Sequence, residues 1–166
     1  MKRELTKARN ASYRIVYIDE TMFTRTTVPE SEWARPKQNM AVDLGKLQEP
    51  TLALLASISR KNGLEHSQVF EDSVDTDKFI GYLAELRAAN PESKIAIFMD
   101  NLSAHKANRS KEAMRSHGFR WILNVPYSPS TNPIELVFSE VKANFKKLRA
   151  KKFLGQTSLS HEAMAM

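Results

Sequence analysis

The chain has 166 residues, 42% hydrophobic and 27% charged, which suits one domain with a real core and excludes a disordered chain. The absence of cysteine excludes a disulfide framework and any thiolate zinc site, and fits an intracellular protein. No apolar run approaches the roughly 20 residues of a membrane span, the start Met1-Lys2-Arg3-Glu4-Leu5 lacks the apolar stretch of a signal peptide, and no membrane partner is expected.

In chain order, the β-branched run at 14–19, Arg14-Ile15-Val16-Tyr17-Ile18-Asp19, predicts a buried strand ending at Asp19. Residues 20–50 read as irregular, broken by Pro29, Pro36, Gly45 and Pro50, and long enough to imply a functional or partner-ordered segment. A strand is expected at 51–59. The turn Arg60-Lys61-Asn62-Gly63 carries an Asn-Gly hairpin signal, and a returning strand follows at 64–70. Asp75-Thr76-Asp77 offers caps for a helix over 76–89, whose Phe79, Ile80, Leu83 and Leu86 have helical spacing. Asn90-Pro91 ends it. A strand at 94–100, a helix at 103–116 closed by His117-Gly118, and a strand at 119–125 come next. A loop spans 126–131, and Asn132-Pro133 opens the last helix. The stretch 153–166 has little pattern and reads as a frayed tail. The order predicts a mixed α/β domain, an antiparallel hairpin plus parallel strands flanked by helices.

Charge is distributed unevenly along this order. Residues 1–100 hold 14 Lys/Arg against 15 Asp/Glu, and residues 101–166 hold 11 against 4. The excess suits a polyanion meeting one side of the molecule, or a solubilising surface.

Three acids stand at predicted element ends: Asp19, Asp100 and Glu135. Thirty-four residues separate the last two. In an α/β sheet functional groups gather at the carboxyl ends of strands, so parallel neighbours would set Asp19 beside Asp100. Carboxylates that close repel unless a cation joins them, and magnesium prefers such oxygens. A metal pair activates the attacking oxygen and stabilises the leaving oxygen of an in-line displacement at phosphorus. Each acid also has an ordinary use: Asp19 and Asp100 as turn acceptors, Glu135 as the third helical residue of a capping box.

In the last helix Ile134, Val137, Phe138, Val141, Phe145 and Leu148 recur as a core face. Glu135, Ser139, Lys142 and Lys146 form a separate stripe, which suits a metal beside a phosphate backbone or ordinary surface pairing. Asn101, His105 and Lys106 lie just past Asp100, where a helix start favours anions. His105 could orient water, contact phosphate, or simply cap and pack. His66, His117 and His161 share no zinc-ligand spacing.

Tyr17-Ile18-Asp19-Glu20-Thr21, Met99-Asp100-Asn101 with His105, and Pro126-Tyr127-Ser128-Pro129 leading to Asn132-Pro133-Ile134-Glu135, then Phe138 and Lys142, resemble the catalytic domain of mariner-like DDE transposases. These belong to the DDE endonucleases of the ribonuclease H-like superfamily. The likeness covers about residues 13–149, and its Pro-Tyr-Ser-Pro to Asn-Pro-Ile-Glu block is highly specific.

The resemblance implies a ribonuclease H-like fold and a metal-binding, catalytic triad of Asp19, Asp100 and Glu135 with two Mg²⁺ or Mn²⁺ ions. It implies strand cleavage by water and strand transfer by the freed 3′-hydroxyl, without a covalent enzyme intermediate. Double-stranded DNA, as transposon ends and target, is the expected partner, met by a homodimer or higher assembly. The nucleus of a eukaryotic host or the cytoplasm and nucleoid of a bacterium is the expected location. Expected DNA contacts are Asn101, His105, Lys106, Tyr127, Asn132, Lys142, Lys146, Lys147 and Arg149, with Lys151 and Lys152 in the same basic cluster. Residues 1–150 would form the catalytic domain and 151–166 a basic, weakly ordered tail. The N-terminal helix-turn-helix domains of relatives are expected to be absent, and the loop around Trp33 sits where some relatives make dimer contacts. Glu20-Thr21-Met22-Phe23 departs from many relatives in lacking a glycine after the Glu-Thr pair. Two other readings stand beside the enzyme: a catalytically silent or domesticated DNA-binding or assembly module, and a ribonuclease H-like nuclease on another nucleic acid.

Overall fold

The computed structural model describes residues 1–24, 27, 51–126 and 131–164, with residues 151–164 described as backbone. The long irregular stretch around Trp33, most of the loop holding Tyr127, and the side chains of Lys151 and Lys152 therefore lie outside the described residues.

The elements run α1 (Lys2–Asn10), β1 (Arg14–Phe23), β2 (Leu52–Ser59), β3 (Gly63–Phe70), α2 (Thr76–Ala88), β4 (Ile95–Met99), α3 (Ser103–Lys106), α4 (Asn108–Ser116), β5 (Arg120–Leu123) and α5 (Ile134–Met164). They form one sheet in the order β3-β2-β1-β4-β5. The hairpin is antiparallel, β2 runs antiparallel to β1, and β4 and β5 run parallel to it. This is the expected mixed sheet.

Local chemistry accounts for most boundaries. Gly63 closes the hairpin turn at φ +71, a left-handed conformation that costs glycine nothing. The Asp75 carboxylate accepts from the Lys78 N–H at 2.9 Å and caps α2. Gly118 ends the turn after α4 at φ +68. All five residues of β4 are buried, as a central parallel strand covered on both faces requires.

Alternation along β1 divides the core. Val16 and Ile18, with Ile95, Ile97 and Met99, pack beneath Phe79, Leu83 and Leu86 of α2 and Met114 of α4. On the other face Ile15, Ala96, Phe98 and Ile122 pack beneath Ala8 and Leu5 of α1. Farther along that face Ala56 of β2 meets Ile134 and Phe138 of α5.

Five features differ from the sequence reading. The sequence pattern predicts no helix before the first strand; α1 is too short and charged to stand alone, and its burial on Phe98 and Ile122 holds it. Asp19 lies inside β1, because the β2 pairing continues to Phe23↔Leu52. The helix expected at 103–116 breaks at Ala107, whose ψ of 144 is extended. The break lets His105 turn inward while α4 restarts with Ser110, Ala113 and Met114 inside. Finally, Val137 and Leu148 are exposed, so the core face of α5 narrows to Ile134 and Phe138, with Phe145 resting on Phe23. The helix runs on to Met164, across the stretch read as a tail.

Candidate active site

The pairing that holds β1 beside β4 is observed from Arg14↔Ile95 to Tyr17↔Phe98. Continued by two places, this register sets Asp19 opposite Asp100. β4 has ended there, while β1 is still held by β2 on its other edge. Asp19 thus stands at the end of the parallel part of the sheet, though within its own strand. Glu135 arrives from the first turn of α5 and is exposed, and its carboxylate has no hydrogen-bond or ion-pair partner among the described residues.

Asp19 is fixed by two donors: the Glu20 N–H at 2.9 Å and Asn132 Nδ2 at 3.0 Å. Burial pushes its carboxyl up to about 6, and the negative charges of Asp100 and Glu135 add to the rise, against both hydrogen bonds. Asp100 is different. Burial raises it too, but the His105 hydrogen bond, the Leu102 N–H and the charges of His105 and Lys106 outweigh that and hold it below the ordinary carboxylate value. The site therefore pairs a carboxylate that resists ionisation with one that favours it.

His105 is 1% exposed, its Nδ1 is 2.8 Å from Asp100 Oδ1, and its ring lies 4.5 Å from that of Phe79. The same Asp100 oxygen accepts the Leu102 N–H at 3.0 Å. His105 therefore orients Asp100 from inside the core, the packing role among those open to it in the sequence, and not a contact with phosphate. Asn132, expected as a cap and DNA contact, is also buried, and its side chain holds Asp19. Its carbonyl accepts the Glu135 N–H at 3.2 Å, so one residue links the first acid to the helix bearing the third. The Asn101 amide donates to the Asn124 carbonyl at 2.6 Å, tying the segment after β4 to the segment after β5.

Arg149 needs the same correction. It is 5% exposed, and Nη1 donates to Thr24 O at 2.9 Å and Thr27 O at 3.2 Å. It fastens α5 to the end of β1 rather than facing DNA. Lys106 and Lys147 are exposed, Lys142 and Lys146 half-exposed, and none has an acidic partner among the described residues. Tyr127 lies outside them.

One neighbour has almost no signal in the sequence. Burial raises Glu20, and it feels both the positive charge of His105 and the negative charge of Asp100. Strand alternation turns it from Asp19 toward the α2 face, where His105 also points. Only its adjacency to Asp19 could have singled it out.

Among the described residues no three His, Asp or Glu side chains are close enough to close on one ion as they stand. The donor set nonetheless fits a hard divalent cation: carboxylate oxygens of Asp19, Asp100 and Glu135, with Asp19 resisting ionisation partly through the other two.

The sequence profile of the DDE superfamily endonucleases matches residues 14–157. No curated protein sequence matches the chain. Among solved structures, the Mos1 transposase paired-end complex with left transposon end superposes with a TM-score of 0.66 at 17% identity, over 93% of this chain and 51% of that one. The Mos1 transposase catalytic domain with raltegravir and Mn gives 0.64 at 15% identity, over 93% and 76%. A simian T-cell lymphotropic virus intasome in complex with a PP2A regulatory subunit gives 0.57 at 17% identity, over 86% and 41%. The fold is thus ribonuclease H-like, and the chain spans about half the length of the first of these.

Proposed function

The chain belongs to the DDE superfamily endonucleases, and from that premise we propose that it is the catalytic domain of a DDE transposase, cutting DNA strands and transferring the cut end to a target. The observation that carries this reading is the register that sets Asp19 beside Asp100 at the end of the parallel strands, with Asn132 tying Asp19 to the helix that bears Glu135. Asp19 and Asp100 share one end of the sheet, and Glu135 enters from the first turn of α5.

In this reading Asp19, Asp100 and Glu135 would hold two divalent ions, Mg²⁺ or Mn²⁺. Such ions, when bound, supply charge stabilisation to the attacking and leaving oxygens at phosphorus. The protein's own residues do the rest. Asn132 and the Glu20 N–H fix the Asp19 carboxylate. His105 and the Leu102 N–H fix that of Asp100, so its free oxygen keeps one direction. Lys142, Lys146 and Lys147, on the helix that carries Glu135, offer ammonium groups to the backbone of double-stranded DNA, transposon end or target. The working unit is a dimer or larger assembly on that DNA.

The test is divalent-metal-dependent nicking of duplex DNA carrying transposon ends. Asp100→Asn is expected to abolish nicking while fold and DNA affinity persist. Nicking unchanged by that substitution would remove Asp100 from the site. A non-catalytic assembly module is the second reading. It predicts DNA binding with no nicking in Mg²⁺ or Mn²⁺.

A further inference from the structure

The sheet face that carries Asp19 is covered in two places, by α1 over the start of β1, β4 and β5 and by α5 over β2 and the far end of β1. Between them, along the first half of β1, lies a trough of about 860 Å³, whose Ile15 and Tyr17 also touch the α1 cluster. Tyr17, Ile15 and Ile58 form its floor, Tyr13 stands at the α1 wall, and Pro133 at the start of α5 forms the other.

Its charge is of one sign. The charged residues among those lining it are Arg9, Arg14, Arg60, Lys61 and Lys94, with no acid between them, and strand alternation turns the Arg14 side chain to the α2 face. Arg14 is tied to Glu65 at 3.2 Å and to Asn90. The other four are exposed, and none has an acidic partner among the described residues. Tyr13 and Tyr17 line the trough and are half-buried. Tyr17 lies two residues before Asp19 on the same face of β1, which puts the inner end of the trough about 7 Å from the first carboxylate.

We propose that this trough is a binding site for a single strand of DNA, running from the hairpin turn toward Asp19. Cations at the rim suit phosphates, and aromatic faces at the floor suit unpaired bases. A duplex is too wide to reach a sheet floor lying between two helices, whereas one strand with its bases turned inward can. The site is distinct from the lysines of α5 and deepens the proposed action on DNA by giving a separated strand its path.

The experiment measures binding of dye-labelled oligothymidylate and of a duplex of equal length, by polarisation across a salt series. Arg60→Gln with Lys61→Gln should weaken oligothymidylate binding about tenfold and flatten its log–log salt slope by about 1.4, some 0.7 for each phosphate no longer neutralised. Duplex affinity should stay within about twofold, since it is carried by α5. Tyr13→Ser should weaken single-strand binding without changing the salt slope, and Tyr13→Phe should restore it. Photo-crosslinks from an iodouridine oligonucleotide should map to Tyr13 or Tyr17. Unchanged single-strand affinity in folded Arg60→Gln/Lys61→Gln protein would overturn the proposal. So would an equal fall for both DNAs, or crosslinks confined to α5. The two readings fail separately: a wild type that never nicks but loses single-strand affinity in these variants keeps the trough and loses the nuclease. A wild type that nicks yet binds oligothymidylate no better than those variants does the reverse.

Discussion

Asp19 meets opposed demands. Two donors hold its carboxylate in place, while burial and two neighbouring acids resist its charge, so its pKa rises to about 6 from an ordinary 3.8. A group that binds its proton more tightly in the folded state favours folding at low pH. Its contribution is complete below about pH 4 and disappears as pH rises through about 6. In metal-free protein, the melting temperature should therefore contain a component that falls between about pH 4 and 6. Asp19→Asn should remove that component, and Mn²⁺ at neutral pH should raise the melting temperature of wild type far more than that of the variant. A pH profile identical in both proteins would refute the assignment. His105 acts through Asp100 and is a positioning residue. Replacement by alanine leaves an Asp100 oxygen without its buried donor, and partners of this kind typically carry about 10–100-fold in metal affinity or activity, the loss expected here. The discriminating measurement is the Mn²⁺ concentration for half-maximal nicking, which should rise; a merely structural role would lower the melting temperature and leave that concentration alone.

At the scale of elements, the site depends on how α5 is anchored. Ile134 and Phe138 seat its first turns on β2, Asn132 joins its start to Asp19, and Arg149 holds its middle to the end of β1. Glu135 is thereby delivered to the sheet by a helix fixed at separate points. Arg149→Met removes two hydrogen bonds from a buried guanidinium and should cost about 1–3 kcal/mol in urea unfolding. It should leave the salt slope of DNA binding unchanged. A flattened slope in this variant would return Arg149 to the DNA surface. The break at Ala107 serves the site in another way, since an unbroken helix would not both bury His105 against Asp100 and pack Met114 beneath α2.

For the whole molecule, sheet order and charge combine. The parallel strands bring Asp19 and Asp100 together at one end of the sheet, and α5 carries Glu135 and three lysines past the same end. Neutralising Lys142, Lys146 and Lys147 together should lower duplex affinity at every sequence tested and reduce the log–log salt slope by about 0.9 for each phosphate that a lysine had neutralised. An unaltered slope would mean that this side of α5 faces away from DNA.

Much of this was legible in the residues alone. The hairpin follows from Asn62-Gly63 and the cap of α2 from Asp75, because turn and capping chemistry are local. Asp19, Asp100 and Glu135 stood out by their places at element ends together with the resemblance to DDE transposases, since spacing alone suited turn and capping roles as well. What no local pattern contained was the use of the polar residues around them. His105 read as a phosphate contact or a capping and packing group, Asn132 as a cap and DNA contact, and Arg149 as part of a basic, DNA-facing cluster. Tertiary packing buries all three, and a buried polar group must find partners inside the protein: Asp100, Asp19 and the carbonyls after β1. The same holds for α1, too short to persist without the sheet beneath it, and for the trough it leaves beside β1. Sequence by itself determined which side chains could do this chemistry; the packing of α1, α3 and α5 on one sheet decided which of them face a substrate and which hold the others in place.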